Sequence, residues 1–343
     1  MDDTHPTNLT VVIGAGASYD CAGLGVTAPV NELYCPPLTK DIFAPRFNEI
    51  LHRHAQVERH LDQIRTQLSQ GGEFEKILRD LLESADRLQQ WWPFQVPLYL
   101  RELFWTISLE YLQGSSKFHT LVQSVLDSHF QRVMFLNLNY DLFLERALVN
   151  DLFDIDEVNW YVSSSKKWLY VKPHGSVNWA RILGNCPKDS AGGYQPSRLQ
   201  ERPVFSSELQ VVLWNSQLRD FYRRQPHNFH GYWYPQVVVP ADKPKDFVCP
   251  QDHINLAREF IQSCNNFLII GFSGRDGDIV SLLQLMPNHS AVTIVSEGGA
   301  GEVLKNMHSR GPDLKAKNLK LAFDNSGFSK FIESQDFKNC LSG

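Results

Sequence analysis

Short apolar runs alternate with amphipathic segments along this chain, which is the pattern of an α/β protein. The apolar runs are continuous, as strands are when both faces of a parallel sheet are covered. Between the runs, apolar residues recur every three or four positions, the spacing of a helix with one buried face. The pattern predicts a Rossmann-like, mainly parallel sheet. Its strands are expected over Leu9–Ile13, Val133–Leu136, Trp168–Val171, Phe267–Ile270 and Ala291–Val295.

Two stretches depart from this alternation. Residues 47–130 read as helical throughout, whereas residues 181–235 are rich in Gly and Pro and strand-like only near 209–214. We therefore expect one domain over residues 1–343, in which a helical insertion (47–130) and an irregular insertion (181–235) form a second lobe. Individual helices are predicted over 73–82, 98–112, 118–130, 141–150, 252–263 and 278–285, and one further strand over 236–239.

Composition narrows the class of function. A formal net charge of -5 argues against a nucleic-acid groove as the main site, because phosphate binding favours a basic face. The 6 cysteines include no C-x-x-C pair, so we expect reduced thiols and no zinc site. No apolar run approaches the roughly 20 residues that span a bilayer, and the first ten residues are polar. We expect a cytoplasmic protein without a membrane segment.

Polar and small residues follow four of the predicted strands. The carboxyl ends of parallel strands are where an open α/β sheet binds its ligands, so these four segments are expected to converge on one crevice. The segments are Gly14-Ala15-Gly16-Ala17-Ser18, Asn137-Leu138-Asn139-Tyr140-Asp141, Lys172-Pro173-His174-Gly175 and Gly271-Phe272-Ser273-Gly274-Arg275-Asp276.

The first segment is a glycine turn between a strand and a helix. Gly14, Ala15 and Gly16 let backbone N–H groups approach a pyrophosphate, with Ser18 and Asp20 within one helical turn of it. Glycine turns after a first strand are also common for packing reasons alone. Both interpretations stay open at this stage.

The second and third segments carry the candidate reactive groups. Asn139 offers an acceptor and a donor to ribose hydroxyls or to an attacking water, and Asp141 can fix its neighbours by charge-assisted hydrogen bonds. Helix capping explains one such residue but not several at alternating positions. His174, followed by the small Gly175, is the best candidate for a proton acceptor at neutral pH, although a structural histidine is the alternative.

The fourth segment again joins a strand to a helix. Its small residues and N–H groups suit phosphate or ribose oxygens, with Arg275 as a counter-charge; the alternative is a turn in which Asp276 or Asp278 caps the helix. Glu297 follows the last predicted strand, where a carboxylate can accept from ribose hydroxyls. The ligand-binding candidates in this part of the chain are Gly271, Ser273, Arg275, Asp276 and Glu297.

Together the four motifs resemble the sirtuin-like family of NAD-consuming enzymes, in particular its bacterial branch of NAD hydrolases in antiphage defence. The resemblance implies that NAD is the ligand, that the glycine turn holds its pyrophosphate and that Asn139 and Asp141 serve the nicotinamide ribose. It also implies that His174 is the base and that Ser273 is the small hydroxyl residue of the third family motif. The glycine-turn residues carried over are Gly14, Ala15, Gly16 and Ser18.

Two departures from the family pattern bear on the reaction. Deacetylating sirtuins carry a zinc ribbon of two C-x-x-C pairs, and this chain has none. Their loop after the glycine turn contains a Phe-Arg dipeptide, whereas the corresponding region here is Cys35-Pro36-Pro37-Leu38-Thr39-Lys40-Asp41. Both departures favour simple glycohydrolysis over protein deacylation.

The sequence thus predicts an NAD glycohydrolase that releases nicotinamide and ADP-ribose, acting as an NAD-depleting effector of antiphage defence. Cleavage is expected through an oxocarbenium-like ribosyl cation. Asn139 would orient the ribose and water, His174 would accept the proton and Asp141 would hold that constellation. The alternatives are a non-catalytic sensor of NAD or of an ADP-ribose-derived signal and, third, a protein deacylase.

Such an activity needs control, and the chain shows no added sensor domain or P-loop. We expect regulation by assembly, either as a homo-oligomer or with a separate partner such as a helicase-like ATPase. The aromatic stretch from Trp91 to Leu112 is the predicted interface, because aromatic residues are enriched at interface cores. Ordinary core packing is the alternative for part of this cluster.

Overall fold

The computed structural model describes residues 7–21, 35–70, 74, 76–77, 80–81, 83–84, 91–110, 115–149, 151–215, 220–222, 231–237, 247–297 and 299–342. Its strands are β1 (Asn8–Ile13), β2 (Arg132–Asn137), β3 (Trp168–Val171), β4 (Gly175–Leu183), β5 (Gln210–Val211), β6 (Leu213–Asn215), β7 (Asp220–Tyr222), β8 (Tyr232–Val237), β9 (Asn266–Ile270), β10 (Ala291–Val295) and β11 (Lys320–Asp324).

Six of these strands form a wholly parallel sheet in the order β11-β10-β9-β1-β2-β3. Strand β1 lies between β9 and β2, and all its residues are buried, which explains why its sequence is continuously apolar instead of alternating. The predicted Rossmann-like parallel sheet is confirmed. The five strands predicted for this sheet recur within one residue of their expected ends, and the four polar segments follow its carboxyl edge.

Helices connect the strands and cover the sheet. They are α1 (Ala15–Cys21), α2 (Asn48–Leu51), α3 (Ala55–Glu58), α4 (Leu61–Ser69), α5 (Val96–Glu110), α6 (Ser115–Leu126), α7 (Phe143–Leu148), α8 (Gln251–Gln262), α9 (Gly277–Leu283), α10 (Ala300–Arg310), α11 (Pro312–Ala316), α12 (Phe328–Phe331) and α13 (Gln335–Ser342). The predicted helix over 73–82 lies largely outside the described residues. Among the helices that are described, none is long and apolar enough to cross a membrane.

A second, antiparallel sheet makes the two ends of the stretch 181–235 more regular than predicted, and the strand-like part expected near 209–214 contains β5 and β6. Strand β4 begins at Gly175 and pairs with both β5 and β8. The sequence of β4 shows no regular alternation, because residues 175–180 are buried on both faces of the strand and Arg181 interrupts the apolar positions. The strand predicted over 236–239 belongs to β8, which ends at Val237, and its last two positions lie outside the described residues.

Five of the aromatic residues predicted as an interface belong to the core instead, and Trp91 is half-buried against it. Trp92, Phe94, Tyr99, Phe104 and Trp105 are at most 6% exposed. Tyr99, for example, donates its hydroxyl to a backbone carbonyl at 2.6 Å. These rings fill the interior of the helical lobe, so this part of the predicted contact surface is wrong. The last two residues of the predicted surface lie outside the described residues.

One buried histidine lies in the contact between α8 and the second sheet. His253 is 1% exposed and its ring meets that of Trp179 edge-on, with centroids 6.2 Å apart. Among the described residues, neither ring nitrogen of His253 has a hydrogen-bond partner. Burial lowers the pKa of His253 to about 4, against a smaller raising effect of Asp252.

This histidine is expected to make the fold sensitive to acid. The unfolded chain binds a proton at His253 below about pH 6.5, whereas the folded chain resists doing so down to about pH 4. The contribution of the neutral ring is therefore complete above this window and is lost as pH falls through it. Between pH 7 and 4 we expect wild type to lose about 3 kcal/mol more unfolding free energy than His253→Phe.

Urea unfolding at both pH values measures this difference. His119→Phe, at an exposed position of α6, is the matched control and should follow wild type. Equal acid sensitivity of wild type and His253→Phe would show that His253 is not held neutral in the fold.

Candidate active site

A cavity of about 810 Å³ opens at the carboxyl edge of the parallel sheet. Its size lies within the range of about 300–1,000 Å³ typical of small-molecule sites. The structure brings all the sequence-predicted site residues to this one cavity, whose lining includes Gly14, Ala15, Gly16, Ser18, Asp20, Asn139, Asp141, His174, Gly271, Ser273, Arg275, Asp276 and Glu297.

The glycines after β1 allow two turns to touch. Gly14 N–H donates to the Ile270 carbonyl at 2.9 Å, and Gly16 N–H donates to the Gly271 carbonyl at 3.0 Å. A Cβ at Gly14 would lie 2.6 Å from the Gly271 oxygen, and Gly271 itself has a positive φ of +63°. Close packing therefore accounts for these glycines, and the N–H groups of Gly14 and Gly16 are engaged within the protein instead of facing a pyrophosphate.

Cationic side chains that line the cavity can bind phosphate in place of the N–H groups of Gly14 and Gly16. Arg275 was predicted for this purpose, and its residue is exposed. Lys40, Lys76 and Arg310 also line the cavity and were missed. Their positions in the sequence carry no spacing signal, because a Pro-rich segment, the helical insertion and the end of α10 supply one each.

A chain of hydrogen bonds fixes Asn139. Its amide nitrogen donates to Ser18 Oγ at 2.9 Å and to the Gly14 carbonyl at 3.2 Å. Ser18 Oγ in turn donates to Asp141 Oδ2 at 2.8 Å. An amide nitrogen has two protons, so both are used inside the protein and Asn139 can offer a ligand its carbonyl oxygen. The geometry narrows the predicted donor-and-acceptor role to that of an acceptor.

Asp141 lies beneath the cavity surface and is 2% exposed. Burial raises its pKa to about 6, although the Lys172 ammonium, the Ser18 hydroxyl and the Phe143 N–H all favour the carboxylate. Asp141 Oδ1 accepts the Phe143 N–H at 3.2 Å, at the start of α7. Asp141 is thus part of the support of Asn139, through Ser18.

His174 lines the same cavity, in the segment that follows the end of β3 at Val171. Its Nδ1 is 3.3 Å from the Leu138 carbonyl and its Nε2 is 2.8 Å from Asp276 Oδ2. The other oxygen of Asp276 accepts the N–H groups of Asp278 and Ile279, each at 3.0 Å, and so caps α9. The capping interpretation of Asp276 is confirmed, and the carboxylate also contacts the candidate base.

The charge state of Asp276 follows from these contacts. Burial by itself would raise its pKa, but the His174 charge and hydrogen bond, together with the two capping N–H groups, outweigh burial and lower it. Asp276 is therefore held as a carboxylate next to the imidazole. This pairing joins the third and fourth sequence motifs.

A buried ionic network beneath the site was missed by the sequence analysis. The Lys172 ammonium donates to the Asp141 carbonyl at 2.7 Å, to Glu145 Oε1 at 2.8 Å and to Ser176 Oγ at 2.9 Å. Glu145 Oε2 accepts from the Tyr170 hydroxyl at 2.8 Å. Lys172 and Glu145 are both fully buried. The available signal for Lys172 was a charged residue directly after an apolar strand, whereas Glu145 is followed by Arg146 and did not stand out in its helix.

The remaining predicted residues lie toward the edge of the cavity. Asp20 Oδ2 accepts the Ser329 N–H at 2.7 Å and so ties α1 to α12. Ser273 and Glu297 are exposed. The helical lobe adds apolar side chains to the lining, including Leu68, Phe74 and Phe104. Among the described residues, no three His, Cys, Asp or Glu side chains form a metal-binding group.

Comparison with known proteins gives structural similarity only. No family model and no curated protein matches the chain in sequence. A Sir2 homologue in complex with NAD is similar with 11% identity, covering 98% of this chain and 91% of that chain, at a TM-score of 0.35. A mutant Sir2 homologue in complex with 2'-O-acetyl ADP ribose gives 11% identity, 100% and 99% coverage and a TM-score of 0.43. Such low identities and TM-scores carry no argument about the function of this chain.

The buried network yields a stability prediction. Replacing Lys172 by Met leaves the Glu145 carboxylate buried without its cation, which typically costs about 3–5 kcal/mol. Urea unfolding of Lys172→Met measures the loss. Lys305→Met is the matched control, because Lys305 is 78% exposed and its nitrogen is 3.7 Å from Glu302. That control should change the unfolding free energy by less than about 0.5 kcal/mol. Equal stability of the two variants would contradict the role of Lys172.

Proposed function

We propose that this protein hydrolyses NAD at the nicotinamide–ribose bond, releasing nicotinamide and ADP-ribose. The observation that carries the proposal is the meeting of Asn139 and His174, from the ends of two neighbouring strands, in one cavity of suitable size. An oriented amide oxygen can position a ribose or a water, and an imidazole paired with a carboxylate can accept the proton that water loses.

The proposed chemistry assigns one task to each group. The carbonyl oxygen of Asn139 accepts a hydrogen bond from a ribose hydroxyl or from the attacking water, which fixes the reacting carbon relative to the protein. As the bond to nicotinamide breaks, positive charge develops on the ribose, as in glycoside hydrolysis. His174 accepts the proton that is lost on attack at the ring nitrogen that does not donate to Asp276. The Asp276 carboxylate, 2.8 Å from Nε2, stabilises the imidazolium that forms.

The other residues that line the cavity suit the pyrophosphate, the ribose hydroxyls and the aromatic rings of NAD. Lys40, Lys76, Arg275 and Arg310 supply positive charge for the pyrophosphate, and Glu297 supplies an acceptor for ribose hydroxyls. The apolar side chains from the helical lobe offer contact area for an aromatic ring. We extend the proposal to an NAD-depleting role in antiphage defence, controlled by assembly with itself or with a helicase-like ATPase, on the strength of the sequence motifs.

Substitution of the two central residues tests the proposal. Asn139→Ala and His174→Ala should each lower nicotinamide release by roughly 10²–10⁴-fold, the usual contribution of a positioned acid–base group. Chromatography of NAD incubations measures the release, and circular dichroism checks the fold. His119→Ala, on the exposed surface of α6, should retain full activity. A folded His174→Ala protein with wild-type activity would remove His174 as the base.

The same incubations separate the alternatives. A sensor would bind NAD, measured by calorimetry, and return it intact. A deacylase would release nicotinamide only when an acyl-lysine peptide is added. Either outcome contradicts simple hydrolysis.

Asp276→Asn isolates the effect of the carboxylate on His174. Asn is as good a helix cap as Asp, so α9 should keep its start while the negative charge at 2.8 Å from the imidazole is lost. Protonation of the imidazole then becomes less favourable, and the acid limb of the pH–rate profile should move to lower pH. Asp336→Asn, at an exposed position in the first turn of α13 and outside the cavity lining, is the control and should leave the profile in place. An unchanged profile in folded Asp276→Asn protein would show that Asp276 serves α9 alone.

A further inference from the structure

The last strand of the parallel sheet has an unusual composition for an edge. β11 reads Lys320-Leu321-Ala322-Phe323-Asp324, and within the described part of the chain it pairs with β10 alone. Its two large apolar side chains are exposed, Leu321 by 39% and Phe323 by 47%. Their partners on β10, Val292 and Ile294, are buried, so the apolar face of the sheet continues outward to its edge.

Backbone hydrogen bonds determine which residues of β11 face outward. Lys320 N–H donates to the Ser290 carbonyl at 2.9 Å, and the Asp324 carbonyl accepts the Ser296 N–H at 3.0 Å. In a parallel ladder alternate residues bond to the same neighbour, so Lys320, Ala322 and Asp324 use their backbone groups toward β10. The N–H and carbonyl groups of Leu321 and Phe323 therefore point away from the sheet.

We propose that β11 is the self-association surface of this protein and that its partner is β11 of a second copy. The two strands run antiparallel about a two-fold axis beside Ala322, so that two six-stranded sheets join into one. In this register Leu321 lies opposite Phe323 of the second copy, and both present outward backbone groups. The pairing forms four N–H···O=C bonds, two for each Leu321–Phe323 pair.

The side chains of the strand agree with this register. Directly opposite residues of an antiparallel pair share a face, so Lys320 of one copy lies opposite Asp324 of the other, and the charges are complementary at both ends. Leu321 and Phe323 form an aliphatic–aromatic pair on the other face. Asp324 Oδ1 accepts from the backbone and the hydroxyl of Ser326 within its own chain. The strand is thus complementary to itself in backbone, charge and apolar contact.

A cysteine at the axis tests the register. In an antiparallel pair without direct hydrogen bonds the two Cα atoms are about 4.5 Å apart, which lies within the range that a disulfide spans. Ala322→Cys should therefore form a covalent dimer under mild oxidation. Lys320→Cys is the matched control, because its two copies would lie about 13 Å apart, too far for a disulfide. Non-reducing electrophoresis compares both variants with wild type, which carries the native cysteines.

A second variant tests the interface without a cross-link. Sedimentation velocity of wild type over a range of concentrations should show a dimer. Phe323→Lys should sediment as a monomer and keep the circular dichroism spectrum of wild type, because this side chain is exposed in the single chain. If Phe323→Lys unfolds, the cysteine comparison decides. A wild-type monomer at all concentrations, a Phe323→Lys dimer, or cross-linking of Ala322→Cys no faster than that of Lys320→Cys would each overturn the proposal.

Discussion

The fully buried ammonium of Lys172 determines where the reactive segments of this protein lie. A cation without access to water is tolerable only when its protons are paired, and the three partners of Lys172 come from three different segments. They are the loop that carries Asp141, helix α7 through Glu145, and strand β4 through Ser176. Because Lys172 directly follows β3, this one group sets the distance between the ends of β2 and β3. Asn139 and His174 lie on the two sides so joined.

The opposite wall of the cavity depends on glycines, whose lack of a side chain lets two turns approach each other closely. The turns after β1 and β9 meet in backbone contact, and a Cβ at Gly271 would come within 2.1 Å of the Ala17 nitrogen. That contact brings Ser18 close enough to bond Asn139 and Asp141 at once. The buried contacts of Lys172 on one side and the close approach of Gly271 on the other thus hold the Asn139 amide in a single orientation.

The sequence indicated the architecture because parallel strands are continuous apolar runs and their polar ends are conspicuous. It also indicated that Asn139, His174 and Asp276 share a crevice, since strand ends in a parallel sheet meet at one edge. It could not show that the N–H groups of Gly14 and Gly16 bond within the protein, because a glycine serves packing and phosphate equally well. Exact partnerships, such as that of Glu145 with Lys172, depend on side-chain contacts between segments far apart in the chain.

The edges of the fold were harder to predict than its centre. β11 is short and exposed, so its alternation lacks the buried run that marks β1. The aromatic residues around Trp92 looked like an interface because sequence alone does not tell how much core the helical lobe must fill. Because those rings are buried, the surface proposed for self-association is the exposed edge strand β11 and not the helical lobe.

Product analysis of the wild-type protein with NAD as the sole substrate tests the central claim most directly. The account predicts that nicotinamide and ADP-ribose appear in equal amounts, at a rate proportional to protein concentration and without any acyl-lysine peptide. NAD that stays intact while bound, or nicotinamide that appears only together with an acylated ADP-ribose, would contradict it.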